Sequence, residues 1–280
     1  MNKNELALTA AYIRRWVLEG VYSAQSGHIG GSFSLAEILS LLYWEKMNVD
    51  PKNPQNPDRD RLVLSKGHCS PGLYAALGLR GFFPVEDIRG FRSIGSYLSG
   101  HVEMREVPGV DMSSGSLGQG LSAAVGMALA ARLDKRDYKT FCIIGDGEVQ
   151  EGQIWEAAMS AGHLGLGNLV VILDNNNLQI SGRVENVINP HPLDDKFASF
   201  GFGVIKSDGH DFDDLSAALD KAAAAKDKPS IILAQTLKGK GVSFMENQVG
   251  WHGSPPNKEQ YEQAAAELDK TIAELKRQVD

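Results

Sequence analysis

Two short segments hold residues suited to a metal and a phosphate. Gly145-Asp146-Gly147-Glu148 and Asp174-Asn175-Asn176-Asn177 each end a continuous apolar run, Thr140 to Ile144 and Leu169 to Leu173. Asp146 offers a carboxylate, and Asn176 a neutral amide oxygen. Hard oxygen donors of this kind suit Mg²⁺, which keeps part of its coordination for phosphates and water. Gly145 and Gly147 allow close backbone approach, and a helix starting after them would turn free N–H groups towards an anion. Either segment alone reads as a strand-ending turn. Two of them at the carboxyl ends of buried strands lie where open α/β sheets take ligands. The expected chemistry is a metal–diphosphate site. No G-x-x-x-x-G-K-[ST] occurs, which excludes a P-loop, and no G-x-G-x-x-G follows a strand.

The second chemical set is imidazole. His28, His68, His101 and His252 lie in loops flanked by glycine. Imidazole titrates near neutral pH and moves protons on and off hydroxyl groups. Taken singly, a histidine is more often a satisfied polar group than a catalyst. His163, His191 and His210 have no such context and read as structural. Asp208-Gly209-His210-Asp211 is expected to turn the chain and cap a helix at Asp211. Lys238-Gly239-Lys240-Gly241 has two readings, neutralisation of a diphosphate or a mobile solvated loop. Trp155 and Met159 stand at i and i+4 and read as core or subunit packing. Cys69 adjoins His68, yet nothing nearby argues for a lowered thiol pKa.

Strands and helices must position these groups. Leu62 to Leu64, Thr140 to Ile144, Leu169 to Leu173, Val204-Ile205 and Ile231 to Ala234 are apolar without alternation, as in strands buried on both faces of a parallel sheet. Helical patterns lie between them, at about 118–133, 150–162, 194–200 and 212–225. The expected fold is a doubly wound α/β domain with a mainly parallel sheet and helices on both faces. Leu6, Ala10, Ile13, Val17 and Val21 predict an opening amphipathic helix. Ser34 and Glu37 form a capping-box pattern before a second one. Asp50 to Asp60, with three prolines, is expected to be an ordered surface loop. Tyr261, Ala265, Leu268, Ile272, Leu275 and Val279 form one apolar stripe, predicting a last amphipathic helix in 257–280 that packs on the domain at 1–256 or on a partner.

Composition narrows the function classes. The 280 residues carry 28 Lys+Arg against 35 Asp+Glu, a net charge of −7 that disfavours general nucleic-acid binding. The longest apolar run, around Leu121 to Ala131, is too short to span a bilayer, and no signal-peptide core precedes it. Two distant cysteines match no zinc or disulfide framework and fit a cytoplasmic protein.

Further blocks narrow the reading to a family. Ser26-Gly27-His28, Arg59-Asp60-Arg61-Leu62-Val63-Leu64-Ser65-Lys66-Gly67-His68, Gly100-His101-Val102-Glu103, Gly115-Ser116-Leu117-Gly118-Gln119-Gly120 and His252-Gly253-Ser254-Pro255, with the two metal-loop segments, resemble the N-terminal, diphosphate-binding half of transketolase. The resemblance covers roughly residues 5–256 and implies a thiamine-diphosphate-binding fold. It implies that Asp146, Asn176 and the carbonyl of Leu178 hold the metal, Mg²⁺ or alternatively Ca²⁺ or Mn²⁺. Gly145, Gly147, Glu148, His68 and His252 would lie at the diphosphate, and Gly115, Ser116 and Leu117 at the aminopyrimidine. His28, His68, His101 and His252 would line a sugar channel. His28 and His252 would move protons at the donor C3 hydroxyl and the acceptor carbonyl, and His101 would hold the donor C1 hydroxyl. Glu151 matches an interface glutamate that links two active sites.

The resemblance also implies a pyrimidine-binding half, which this sequence does not contain. The expectation is a split enzyme: an α2β2 heterotetramer with a separate C-terminal transketolase subunit, acting on sugar phosphates. The loop Ile29-Gly30-Gly31-Ser32 departs from the proline and alanine usual after this histidine, so the donor sugar stays open, including branched or sulfonated sugars. The alternatives are half of another thiamine-diphosphate enzyme, deoxyxylulose-phosphate synthase-like or 2-oxoacid dehydrogenase-like, and a non-enzymatic cofactor-binding scaffold.

Overall fold

The computed structural model describes residues 1–279. Among the described residues there are seven strands: β1 (Arg61–Leu64), β2 (Thr140–Gly145), β3 (Leu169–Asn175), β4 (Leu178–Gln179), β5 (Gly182–Arg183), β6 (Gly203–Asp208) and β7 (Ser230–Gln235). Five of them form one parallel sheet in the order β1-β2-β3-β7-β6, while β4 and β5 make a small antiparallel pair. The helices are α1 (Lys3–Ala24), α2 (Ile29–Phe33), α3 (Ala36–Leu41), α4 (Ser70–Arg80), α5 (Gln119–Leu133), α6 (Gly152–Leu164), α7 (Val184–Ile188), α8 (Leu193–Ser199), α9 (Phe212–Ala223) and α10 (Lys258–Val279). The doubly wound reading holds.

Continuous apolar strands exist because both sheet faces are covered. Leu62, Leu64, Phe141, Ile143, Val170, Ile172 and Ile232 pack under α1, α3, α4 and α9. Their neighbours in sequence, Val63, Cys142, Ile144, Val171, Leu173 and Ile231, pack under α5, α6 and α8. Alternate side chains point to opposite faces, so each strand feeds two cores. The chain winds one way from β1 to β3 and the other way from β6 to β7. Right-handed crossovers therefore send the connecting helices to opposite faces. Beyond β3 the chain runs to Leu193 and Phe197 in one core; beyond β7 it runs to Val242 and Met245 in the other. The crevice between those departures is the switch point that binds ligands in such sheets.

One local expectation is corrected. Ser34 and Glu37 make no capping box: helix geometry already begins at Ile29, and neither side chain caps α3. The Ser34 hydroxyl instead donates to Asp174 at 2.7 Å, and Glu37 accepts from Arg14 at 2.6 Å. Burial explains the difference, because a buried charged side chain takes the strongest partner within reach. A capping box does start α1, between Asn2 and Glu5. Asp211 caps α9 as expected, accepting from Asp213 and Asp214 N–H at 2.8 and 3.0 Å.

The last helix packs on its own domain. Tyr261 stacks on Tyr22 with centroids 4.0 Å apart and donates to Glu19 at 2.6 Å, while Ala264, Leu268 and Ile272 are buried. Asp280 lies outside the described residues. Leu268→Ala is expected to cost about 2 kcal/mol of stability, read as a lower urea midpoint at unchanged slope. A loss below about 0.5 kcal/mol would mean that α10 does not depend on this contact. Among the described residues, no helix is long and apolar enough to cross a membrane.

Candidate active site

The metal and imidazole sets meet in one cavity of about 380 Å³ at the switch point. Its walls include His28, His68, His101, Gly115, Leu117, Gly145, Asp146, Gly147, Glu148, Glu151, Asn176, Leu178 and His252. Ser116 alone among the expected residues faces elsewhere, into an adjoining groove that also touches His101 and Gly115. A larger depression, about 840 Å³, lies at the ends of β6 and β7. Its Lys206 and His210 are committed: Lys206 pairs with Asp194 at 2.7 Å, and His210 uses both ring nitrogens, on Glu37 and on the Leu237 N–H. The smaller cavity carries the chemistry.

The expected metal donors lie in the loops after β2 and β3 and at the start of β4. Asp146 is buried and accepts from the N–H groups of Gly147, at 2.8 Å, and Asn177. Burial, helped by the nearby Asp174 carboxylate, pushes its carboxyl up to about 6. Asn176 donates through Nδ2 to Asp174 at 3.3 Å and accepts the Leu178 N–H through Oδ1 at 3.1 Å, which fixes the amide and leaves one Oδ1 lone pair for a cation. Among the described residues, no group of three His, Cys, Asp or Glu side chains could hold a metal. The donors here are one carboxylate, one amide and one backbone carbonyl, a set for a hard cation. The carbonyl of Leu178 already accepts from a cation, the Lys238 ammonium at 2.7 Å. The residues therefore fit a Mg²⁺-class ion.

Lys238 overturns the solvated-loop reading. It is 2% exposed, and its Nζ also lies 2.9 Å from Nδ1 of His252. Burial and the neighbouring Lys66 lower its pKa to about 8. An ammonium so poorly matched by anions suits a diphosphate. Because Lys238 donates to Nδ1, the proton of neutral His252 sits on Nε2.

Below the cavity lies a buried network. Asp174 accepts from Lys66, Thr236 and Ser34, and Lys66 reaches the Gly31 carbonyl at 3.4 Å. The Lys66 charge holds the Asp174 carboxyl down despite the opposing effect of burial. Sequence reasoning gave Lys66 and Asp174 no role. The signal was present: a lysine two residues beyond the apolar run Leu62-Val63-Leu64 must find an anion if buried, and the neighbouring strand ends carry carboxylates. Glu148 lines the cavity, but its oxygens accept from Ser65 Oγ at 2.5 Å, Gly118 N at 2.9 Å and Gly145 N at 3.0 Å, tying three loops together. Glu151 is exposed at the rim, at the N-cap of α6.

The four histidines come from loops far apart in sequence. His28 precedes α2, and His68 lies in the tight turn Gly67–Cys69 between β1 and α4. His101 comes from an irregular loop, and His252 follows the turn Val249–Trp251. Gly30 makes the last approach sterically feasible, since a Cβ there would stand 2.7 Å from the Trp251 carbonyl oxygen. Ring centroids lie 4.8 Å apart for His28–His68, 5.4 Å for His68–His252 and 5.5 Å for His28–His252. Burial, then neighbouring positive groups, lowers His28 and His68 to about 4 and His252 to about 2. Cys69 is buried, and burial pushes its thiol up, so it is no nucleophile. Trp155 packs on Phe197 and Phe200, whereas Met159 is exposed.

These shifts give a pH expectation. NMR titration of the chain should show the His28, His68 and His252 rings neutral down to about pH 5. Each folded pKa is below the unfolded value, so the unfolded chain binds more protons as acid is added. Their contribution to stability is complete above about 6.5 and is lost as pH falls towards about 4. A ring titrating near 6.5 would contradict the burial.

The sequence matches the family described as transketolase, thiamine diphosphate binding domain, over residues 6–272. The chain belongs to the transketolase family. It is 47% identical over 266 residues to the 6-deoxy-6-sulfo-D-fructose transketolase subunit SqwG of Clostridium sp. (strain MSTE9), covering 95% of this chain and 97% of that protein. It is 42% identical to an apulose-4-phosphate transketolase subunit from Phocaeicola vulgatus, covering 99% of both. The crystal structure of transketolase from Campylobacter jejuni superposes with a TM-score of 0.90 at 34% identity, over 98% of this chain and 46% of that one. This chain thus spans about half the length of the solved transketolases it matches. It corresponds to a transketolase-type N-terminal subunit, as the sequence blocks imply.

Proposed function

We propose that this chain is the diphosphate-binding subunit of a two-chain transketolase. With a separate pyrimidine-binding subunit it transfers a two-carbon ketol unit from a ketose phosphate to an aldose phosphate. The observation that carries the reading is the single cavity joining hard oxygen donors, a buried ammonium and four uncharged imidazoles. When bound, thiamine diphosphate supplies the carbon nucleophile for C–C cleavage. Asp146, Asn176 and the Leu178 carbonyl would hold Mg²⁺, and Lys238 would balance diphosphate charge. His101 holds the donor C1 hydroxyl. His28, uncharged and so free to accept a proton, takes that of the C3 hydroxyl, and His252 offers its Nε2–H to the acceptor carbonyl. Glu151, exposed at the rim, is placed to meet a second subunit.

Relatives named as subunits and matched over nearly their whole length support the two-chain arrangement, which we take to be α2β2. The same names favour an unusual donor, a sulfonated or branched sugar; the segment Ile29-Gly30-Gly31-Ser32, expected as a loop, is folded into α2 and brings Gly31 to the cavity wall. Two reduced, buried thiols fit a cytoplasmic setting. The test is to purify the chain alone and with its co-purifying partner. Each sample is assayed with thiamine diphosphate, Mg²⁺ and linear, branched and sulfonated ketoses. Ketol transfer is expected only from the complex. Activity of the lone chain overturns the two-chain reading, and pyruvate decarboxylation without ketol transfer overturns the transketolase reaction.

A further inference from the structure

Arg92 has no role in the site so far. Its φ is +59°, a left-handed conformation that residues with a Cβ rarely adopt. Its backbone N–H donates to the Leu98 carbonyl at 2.9 Å, closing the loop 92–98. The guanidinium then reaches two separate loops of the site. Nη1 donates to Ser26 Oγ at 2.5 Å, and Nη2 to the Gly100 carbonyl at 3.3 Å. Ser26 lies two positions before His28, and Gly100 immediately precedes His101. Nε is buried and has no hydrogen-bond partner among the described residues. A Cβ at position 100 would stand 2.5 Å from that Nε, so the arm fits only against glycine. A left-handed arginine with an orphaned nitrogen is costly locally, and such costs gather where surrounding structure imposes them at functional sites.

We propose that Arg92 is a positioning residue for ketol transfer, tying the loop that carries His28 to the loop that carries His101 and so fixing the two imidazoles relative to each other. Their ring centroids stand 6.4 Å apart at 55°. The inference rests on the functional reading above, yet its central claim concerns this chain alone. The charge acts in the same direction as the bridge. His28 faces His68, Arg92, His101 and Lys238, and His101 faces His68 and Arg92; in both, Arg92 adds to burial in favouring the neutral ring. The groups acting on His68 are Lys66, Glu148, Lys238 and Asp174, and those acting on His252 are Lys238, His68, His28 and Lys66; Arg92 is in neither set. Arg92 therefore distinguishes one pair of rings from the other.

The test uses the full chain with Arg92→Met and Arg92→Lys. Histidine ring pKa values are read by NMR, and kcat, KM and cofactor affinity in the assembled complex. R92M should raise the pKa of His28 and His101 by about one unit and leave His68 and His252 in place. In the complex kcat should fall about 10-fold or more at unchanged cofactor affinity. R92K returns the charge without the forked bridge, so the ring pKa values should recover and kcat should not. Unmoved His28 and His101 in R92M, an equal shift of all four rings, or full recovery of kcat in R92K would overturn the proposal. A wild-type complex without ketol transfer would overturn the functional reading instead, while the NMR result would still decide whether Arg92 acts on His28 and His101 rather than on all four rings.

Discussion

Asp146→Ala lowers the Mg²⁺-dependent affinity of the assembled complex for thiamine diphosphate by about 100-fold or more, with ketol transfer lost in parallel. Asp146 is the one carboxylate among three expected donors, the other two being an amide and a backbone carbonyl. Replacing a residue that merely orients a ligand already costs about 10- to 100-fold in metal affinity, so removing the charged ligand itself should cost at least as much. Burial beside Asp174 adds to the argument. A carboxylate pushed up to about 6 is held in an unfavourable setting that a divalent cation would relieve. Titration calorimetry of the complex with cofactor, with and without Mg²⁺, gives the readout, and circular dichroism checks the fold. Unchanged metal-dependent affinity would remove Asp146 from the site.

The second large effect is on stability. Lys66→Met should destabilise the chain by about 3–5 kcal/mol, the cost of leaving one member of a buried ion pair without its partner. Side-chain exposure is 5% for Lys66 and 0% for Asp174, so water cannot stand in for the missing ammonium. Ser34, Thr236 and Asn176 would still donate to Asp174, but none of them carries charge. The double variant Lys66→Met, Asp174→Asn removes the stranded charge and retains a hydrogen-bonding amide. It should recover a substantial part of the loss. Urea unfolding measures both. A single variant within about 1 kcal/mol of the wild type would show that the pair is solvated.

Much of the fold was legible because its signals are local. Continuous runs such as Leu169 to Leu173 mark strands covered on both faces, and Asp211 marks the start of α9 by the hydrogen bonds its side chain makes within four residues. Ser34 and Glu37 misled for the converse reason. Their spacing is a local signal, but burial hands their side chains to Asp174 and Arg14, which are distant in sequence. Lys238 was ambiguous on the same ground. Alternating lysine and glycine, as in Lys238-Gly239-Lys240-Gly241, describe a flexible loop, and only the approach of Leu178 and His252 makes Lys238 a buried cation site. Arg92 was invisible, since its left-handed backbone and its reach to Ser26 and Gly100 have no counterpart in residue type or spacing.

By itself the sequence determined the parallel α/β architecture, the strand-end loops carrying Asp146 and Asn176, and the four histidines of the channel blocks. Those features depend on periodicity, turn chemistry and motifs contained within short segments. Only the tertiary structure decided that these loops share one cavity, that the imidazoles within it are held neutral, and that Lys66, Asp174 and Lys238 form a charged layer beneath and beside them. Burial and charge proximity arise when segments more than a hundred residues apart, such as Lys66 and Asp174, come into contact, and the cost of desolvating a charge is set by that contact alone.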